Sequence, residues 1–207
     1  MAIFLNIHPE NPQQRLIYQV VSQLQKGGVI IYPTDSGYSL GCQMGDKEAM
    51  QRVRRIRQLD KKHHFTLACN NLSELGTYAI VSNSAYRLLK SHTPGAYTFI
   101  LRATKEVPRR LQHPKRKTIG FKVPDNKIAL AILEAKGAPI INTSLLLPGE
   151  SDLLTDPEDI KEKYGSLVDM IIDAGYCGNE PSTVVDLTTD NPQLIRSGAG
   201  EMEELIE

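Results

Sequence analysis

Apolar positions along the chain follow two alternating rhythms, and their order predicts the architecture. Leu16, Ile17, Val20, Val21 and Leu24 share one helical face within 11–26, where Asn11 can cap, Pro12 suits the first turn and Gly27 can end the helix. A short strand over 2–7 precedes it. The β-branched run Val29, Ile30 and Ile31 follows as a second strand, expected to stop at Pro33, which has no N–H for a ladder. Asp46 can cap a second helix that turns Ala49, Met50, Val53 and Ile56 inward and leaves Arg52, Arg54 and Arg55 largely outside the stripe.

Further strands are predicted over 65–69, 97–101, 118–123, 138–141, 167–172, 182–187 and 193–195. Helices are predicted over 72–75, 84–90, 126–135 and 156–163. Strand and helix alternate until the last strands, which crowd together. The pattern is that of an α/β fold with a twisted sheet mixing parallel and antiparallel pairs. With 207 residues, 41% of them hydrophobic, and no repeat or linker, 1–207 is expected to be one domain.

The formal net charge of zero hides a segregation. Residues 1–149 carry 21 Lys and Arg against 9 Asp and Glu, and residues 150–207 carry 3 against 15, so the two parts stand at +12 and −12. Anionic partners are expected to meet the first part. Cys42, Cys69 and Cys177 have no paired spacing, so neither a disulfide framework nor a zinc site is predicted, and a reducing cytoplasm suits them. The N-terminal apolar run is short and lacks a basic flank, and no stretch approaches the ~18 apolar residues of a membrane span; an unprocessed soluble protein is expected.

The segment GGVIIYPTDSGYSLGC, 27–42, runs from an apolar strand straight into Thr34, Asp35 and Ser36. Strand ends of open α/β sheets are places for ligands, and short oxygen-bearing side chains suit a small polar one. A tight turn with Gly37 and Gly41 as punctuation accounts for the same residues. The chain has no GxxxxGK[ST] loop, no GxGxxG fingerprint and no GxSxG elbow. His63 and His64 are adjacent and no acidic pair stands at ligand spacing, so no metal site is predicted.

In order along the chain, GGVIIYPTDSGYSLGC, RIRQLDKKHHFTL, TPGAYTFIL, KTIGFKVPDN, INTSLLLPG, PSTVVD and LIRSGAG resemble the YrdC-like superfamily, and most closely its YciO-like branch. The resemblance implies a twisted α/β sheet with a broad, concave, electropositive face. It also implies the chemistry of the threonylcarbamoyl-adenylate synthases, which join threonine, bicarbonate and ATP and release pyrophosphate on the way to a modified tRNA adenosine. That reaction needs no protein nucleophile, because the carbamate attacks the α-phosphate. The protein must position the reactants and offset leaving-group charge. Magnesium is implied only as the companion of ATP.

Carried over residue by residue, the resemblance implies substrate or nucleotide contacts from Thr34, Arg57, His63, Lys122, Ser144, Ser182, Thr183 and Arg196. Hydroxyls at strand ends also satisfy backbone groups, so each of Thr34, Ser144, Ser182 and Thr183 has a purely structural alternative. No residue is assigned a catalytic role. Two positions depart from the synthase pattern: Leu59 stands where the second cation of a lysine-x-arginine pair belongs, and Leu146 replaces the asparagine of a serine-x-asparagine pair. Arg57 and Lys122 exchange lysine for arginine and arginine for lysine, which are not neutral swaps at a phosphate. Two lost charge-assisted bonds of about 1.5–3 kcal/mol each slow a reaction by roughly 10²- to 10⁴-fold.

The basic segments 47–64 and 102–117 suggest a nucleic-acid partner. Arg109, Arg110, Lys115, Arg116 and Lys117 surround Pro108 and Pro114, which predicts an exposed, extended basic loop beside the concave face. The resemblance implies double-stranded RNA or tRNA as the partner, met through backbone and shape because aromatic residues are sparse there. A solvated basic surface paired with the acidic C-terminal part is the alternative. Three functions stay open: an RNA- and nucleotide-binding protein with weak or altered adenylate-forming activity, an active synthase, or a non-catalytic factor in tRNA metabolism or ribosome maturation.

Overall fold

The computed structural model describes residues 1–59, 63, 65–147, 149–150 and 152–201. In chain order, β1 (Ile3–Asn6), α1 (Gln14–Gln25), β2 (Ile30–Thr34), β3 (Gly37–Gln43) and α2 (Lys47–Arg57) lead to β4 (Thr66–Ala68), a 3₁₀ turn (Leu72–Glu74) and α3 (Leu75–Tyr78). Then follow β5 (Ala79–Ile80), α4 (Asn83–His92), β6 (Tyr97–Ala103), β7 (Thr118–Lys122), α5 (Lys127–Lys136) and β8 (Ile140–Ser144). The chain continues through α6 (Pro157–Tyr164), β9 (Met170–Asp173), β10 (Thr183–Asp186) and β11 (Gln193–Arg196).

All these strands join one mixed sheet in the order β1-β9-β2-β3-β8-β4-β7-β6-β10-β11, with β5 paired to β6 off that path. Helix stripes decide what covers each face. Ala49, Met50 and Val53 of α2, Ala85 and Leu89 of α4, and Ile160 and Tyr164 of α6 pack with Leu40, Leu67, Phe99, Phe121 and Ile171 on one face. Ile17, Val20 and Leu24 of α1 and Ile128, Ile132 and Leu133 of α5 pack with Ile30, Tyr32, Ile140, Met170 and Ile172 on the other. Asp46 caps α2 as expected, and Asn126 and Asp156 likewise accept backbone N–H groups of the first turns of α5 and α6.

The structure corrects several expectations. Helix α1 begins at Gln14 rather than beside Asn11, because residues 8–13 close a turn of their own: His8 Nδ1 accepts from the amides of Glu10 and Asn11, and Gln13 Oε1 accepts from His8. Strand β2 continues through Pro33 to Thr34. Its ladder to β9 has already ended at Ile31↔Ile171, and Pro33 opposes Tyr38 in a non-hydrogen-bonded pair, so the missing N–H breaks no bond. Residues 37–43, read partly as a turn, form β3, with Tyr38, Leu40 and Cys42 buried on its core side. Strand β8 starts at Ile140 and runs on to Ser144.

Candidate functional site

Six strands present a strict period of two around the middle of the sheet. Leu40, Ile141, Leu67, Phe121, Phe99 and Val185 point into the core. Ser39, Asn142, Thr66, Gly120, Thr98 and Ser182, each an odd number of positions from these, point to the opposite face, of which α1 and α5 cover β1, β9, β2 and the ends of β8 and β4 at Ile140 and Ala68. The uncovered remainder is a cavity of about 410 Å³, floored by these small and polar side chains and completed by Ser36, His63, Lys122, Ser144 and Arg196, with Ile100, Val184 and Ile195 as an apolar wall. Gly120 keeps the floor low: a Cβ there would stand 2.5 Å from Thr66 Oγ1 and 3.1 Å from the Phe65 carbonyl.

Lys122 is the most buried cation of this cavity, 2% exposed. Its ammonium donates to Ser36 Oγ at 2.6 Å and lies 2.6 Å from Asp35 Oδ1, so the turn between β2 and β3 is tied to the end of β7. Burial pushes the Lys122 amine below its ordinary range, and the Asp35 carboxylate opposes that shift. Asp35 Oδ2 in turn accepts from the Asp125 amide at 2.9 Å. Thr34, the neighbouring candidate, donates to the Gly37 carbonyl at 2.6 Å and accepts from the Ser36 amide at 3.3 Å; its hydroxyl closes the turn and does not line the cavity.

The opposite wall is built on β10 and β11. Ser182 Oγ hydrogen-bonds Thr98 Oγ1 at 2.8 Å, and the Ser182 carbonyl accepts from Arg196 Nε at 3.2 Å and Nη2 at 2.7 Å. That anchor holds the Arg196 guanidinium at the cavity, where burial lowers its pKa. Thr183 is fully buried on the other side of the strand and donates to the Gly200 carbonyl, fastening the loop after Arg196. A glycine is required at 198 in that loop, since a Cβ would lie 2.0 Å from the Pro181 carbonyl. Between the walls, Tyr32 donates to Asn142 Oδ1 at 2.6 Å, and Ser144 lies beside Ser39 across the β3–β8 ladder.

Arg57 falls outside this group. It is 6% exposed at the end of α2, with Nε and Nη1 unpartnered, and burial lowers its pKa. It lines a second cavity, about 530 Å³, with Leu59, Leu146, Leu147 and Glu150, and His63 lines both cavities. The two departures noted at 59 and 146 therefore meet around Arg57.

The residues expected to contact RNA form consecutive turns rather than an extended loop. Val107 and Leu111 are buried in the core, which draws 104–117 against the α2 side of the sheet. Arg110 donates to the Gly45 carbonyl at 2.7 Å and Arg54 to the Arg110 carbonyl at 3.3 Å, joining the two basic segments into one surface. Lys61, Lys62 and His64 lie outside the described residues. Arg116 pairs with Asp186 at 2.6 Å, and Lys117 donates to Pro114 at 2.9 Å, whereas Arg109 and Lys115 project from the same segment as exposed cations. Ser36 was picked out with the turn that holds it, whereas Ser39, Thr66, Thr98 and Asn142 line the cavity without having been singled out from the sequence; their alternation with core residues along each strand is the signal that marks them.

Fold and cavity define a twisted mixed-sheet protein with a small-ligand cavity bearing two cations, several hydroxyls and a side-chain amide. The chain belongs to the Sua5/YciO/YrdC family, whose model, described as "Telomere recombination", matches residues 22–198. It is 60% identical over 207 residues to a Haemophilus influenzae protein, each chain fully covered. A Vibrio vulnificus threonylcarbamoyl-AMP synthase is 29% identical over 187 residues, 88% of this chain and 98% of that one. The crystal structure of Escherichia coli YciO superposes with a TM-score of 0.97 at 57% identity over both whole chains. The crystal structure of P. abyssi Sua5 complexed with L-threonine gives 0.90 at 26% identity over 98% of this chain and 59% of that one.

Proposed function

We propose that the chain binds an adenylate-type nucleotide in the cavity between Lys122 and Arg196, and RNA over its basic surface, with weak or altered threonylcarbamoyl-AMP-forming activity at most. The observation that carries the nucleotide reading is the pairing of the buried Lys122 and the more exposed Arg196 with a ring of hydroxyl donors on the part of the sheet face that α1 and α5 leave uncovered. Such a donor set suits one phosphate group and a polar ligand body. Kinship to synthases supports adenylate chemistry, while Leu59 and Leu146 around Arg57 argue for reduced turnover. Both Asp35 oxygens are already engaged, by Lys122 and the Asp125 amide, so magnesium would arrive with a nucleoside triphosphate and be held by its phosphate oxygens.

RNA binding is favoured by the junction of the two basic segments through Arg110 and Arg54, which gathers cations from distant parts of the chain. No helix of the described residues is long and apolar enough to cross a membrane, and the cysteines are free, which suits a cytoplasmic setting. The decisive experiment incubates purified protein with ATP, threonine and bicarbonate and follows pyrophosphate and the adenylate together. Turnover well below that of a family synthase, with measurable AMP or ATP binding, supports the proposal. Synthase-like turnover identifies an active enzyme of tRNA modification, and absence of both product and nucleotide binding leaves a non-catalytic factor in tRNA metabolism or ribosome maturation.

A further inference from the structure

The second cavity has the wrong chemistry for a polyphosphate. Leu59, Leu146 and Leu147 supply an apolar lining, and Glu150 adds a carboxylate whose pKa is lowered by its hydrogen bond from Lys163. Glu150 is ion-paired with Lys163, so it adds no net positive charge with which to hold a chain of phosphates. Arg57 is the cation of that wall among the described residues, and its buried Nε and Nη1 lack an acceptor. A buried donor without a partner marks a place where a bound molecule can supply one.

His63 lines both cavities, which therefore adjoin at that residue. The first offers Lys122 and Arg196, enough for one anionic group. The second offers the apolar surface of three leucines and the two waiting donors of Arg57. We propose that the small-molecule ligand is a singly phosphorylated compound bearing an apolar group, its phosphate held by Lys122 and Arg196 and its apolar group seated among Leu59, Leu146 and Leu147. Selection against ATP follows from the same residues, because a triphosphate extended past His63 meets leucines and Glu150. An acceptor atom carried on the apolar group, such as a carbonyl oxygen, finds Arg57. This rests on the reading of the first cavity as a phosphate site and adds which phosphate compound fits it.

The test is isothermal titration of the full chain with the n-alkyl phosphates from methyl to hexyl, alongside inorganic triphosphate. Burial of each methylene is expected to tighten binding by about 3- to 4-fold, equivalent to about 0.8 kcal/mol. In Leu146→Asn, methyl phosphate affinity is expected to stay within about 2-fold while the chain-length dependence flattens. Leu147→Ala gives a second, milder variant, in which the slope falls without a new polar group, and thermal melts check folding of both. A flat alkyl series in the wild type, or triphosphate binding tighter than hexyl phosphate, overturns the inference while leaving the phosphate site intact. Failure of every phosphate to bind removes the phosphate site itself.

Discussion

Lys122 Nζ and Asp35 Oδ1 stand 2.6 Å apart at a place where the lysine is almost wholly out of water. One carboxylate therefore supports a buried cation, shapes the β2–β3 turn and, through its second oxygen, caps the segment after β7. The energetic weight of such a pair lies in what its loss leaves behind.

Asp35→Asn is expected to destabilise the fold by about 3–5 kcal/mol at neutral pH, because the ammonium stays buried without its counter-charge. Burial already holds the Lys122 pKa below the lysine value of 10.5, and loss of the opposing carboxylate lowers it further. With a depressed folded pKa, the unfolded chain binds more protons between the folded and unfolded values, so stability rises with pH through that window. The gap between Asp35→Asn and wild type is thus widest around neutral pH and narrows toward pH 10. Urea unfolding at pH 7, 8.5 and 9.5 measures it; a gap independent of pH contradicts the assignment.

Asp186 gives the same sign of pH dependence in an acid window. Burial raises its pKa, but hydrogen bonds from the Thr188 hydroxyl and amide and the contact with Arg116 outweigh burial and leave it below the usual carboxylate value of 3.8. Its contribution is present above pH 3.8 and is lost as pH falls through the folded pKa. Asp186→Asn is expected to lower the urea midpoint at pH 7 and to converge with wild type as pH falls through the folded Asp186 pKa. Convergence absent at acid pH, or no effect at pH 7, counts against the pairing.

Much of this arrangement was legible in the sequence, and the exceptions have physical causes. Helix α2 could be placed because Asp46 caps it and Ala49, Met50 and Val53 keep a helical period. Strand β3 was obscured because Gly37 and Gly41 punctuate it as they would a turn, yet Gly41 lies where a Cβ would meet the Tyr32 ring at 2.9 Å. Lys122, Ser144, Ser182 and Arg196 were picked out by motif and converge on one cavity, whereas Thr34 and Thr183, from the same motifs, bond to backbone. A motif fixes residue type and order; the pleat decides which side of the strand a hydroxyl faces. Position 105–117 was misread for a related reason: its prolines and charges suggest an open loop, but Val107 and Leu111 anchor it as turns.

The cations of that segment should separate by function. Arg109 and Lys115 are exposed, while Arg116 is paired with Asp186. Replacement of Arg109 and Lys115 together by alanine is expected to weaken duplex RNA binding and to reduce the slope of log affinity against log salt by about 1 to 2, with unfolding unchanged. Arg116→Ala is expected to cost stability as well. Salt-dependent RNA binding with an unaltered slope in the double variant places the contact surface elsewhere.

Gly120 makes a purely steric prediction. Its missing side chain lets β4 lie close, and Gly120→Ala forces a methyl group against both Thr66 Oγ1 and the Phe65 carbonyl. Overpacking of this kind costs about 1–3 kcal/mol. The same methyl stands on the cavity floor, so phosphate or AMP affinity should fall with stability. A variant as stable as wild type means that β4 can move away, and its ligand affinity then reports whether the floor moved with it.

The pair Leu59 and Leu146 bears on chemistry directly, because both face the cavity that holds Arg57. If these leucines limit adenylate formation, Leu59→Arg with Leu146→Asn restores a cation and an amide beside an arginine whose donors already lack partners. Charge-assisted bonds of about 1.5–3 kcal/mol each allow a gain of up to roughly 10²- to 10⁴-fold in threonylcarbamoyl-AMP formation, read as pyrophosphate release that requires both threonine and bicarbonate. Each single variant should give less than the pair, since the two groups would act on the same phosphate chain. In parallel the double variant should lose its preference for alkyl phosphates over triphosphate. A folded double variant that gains triphosphate binding but no turnover would assign the two leucines to ligand choice alone and place the limit on catalysis elsewhere, with Lys122 in place of arginine the next residue to exchange.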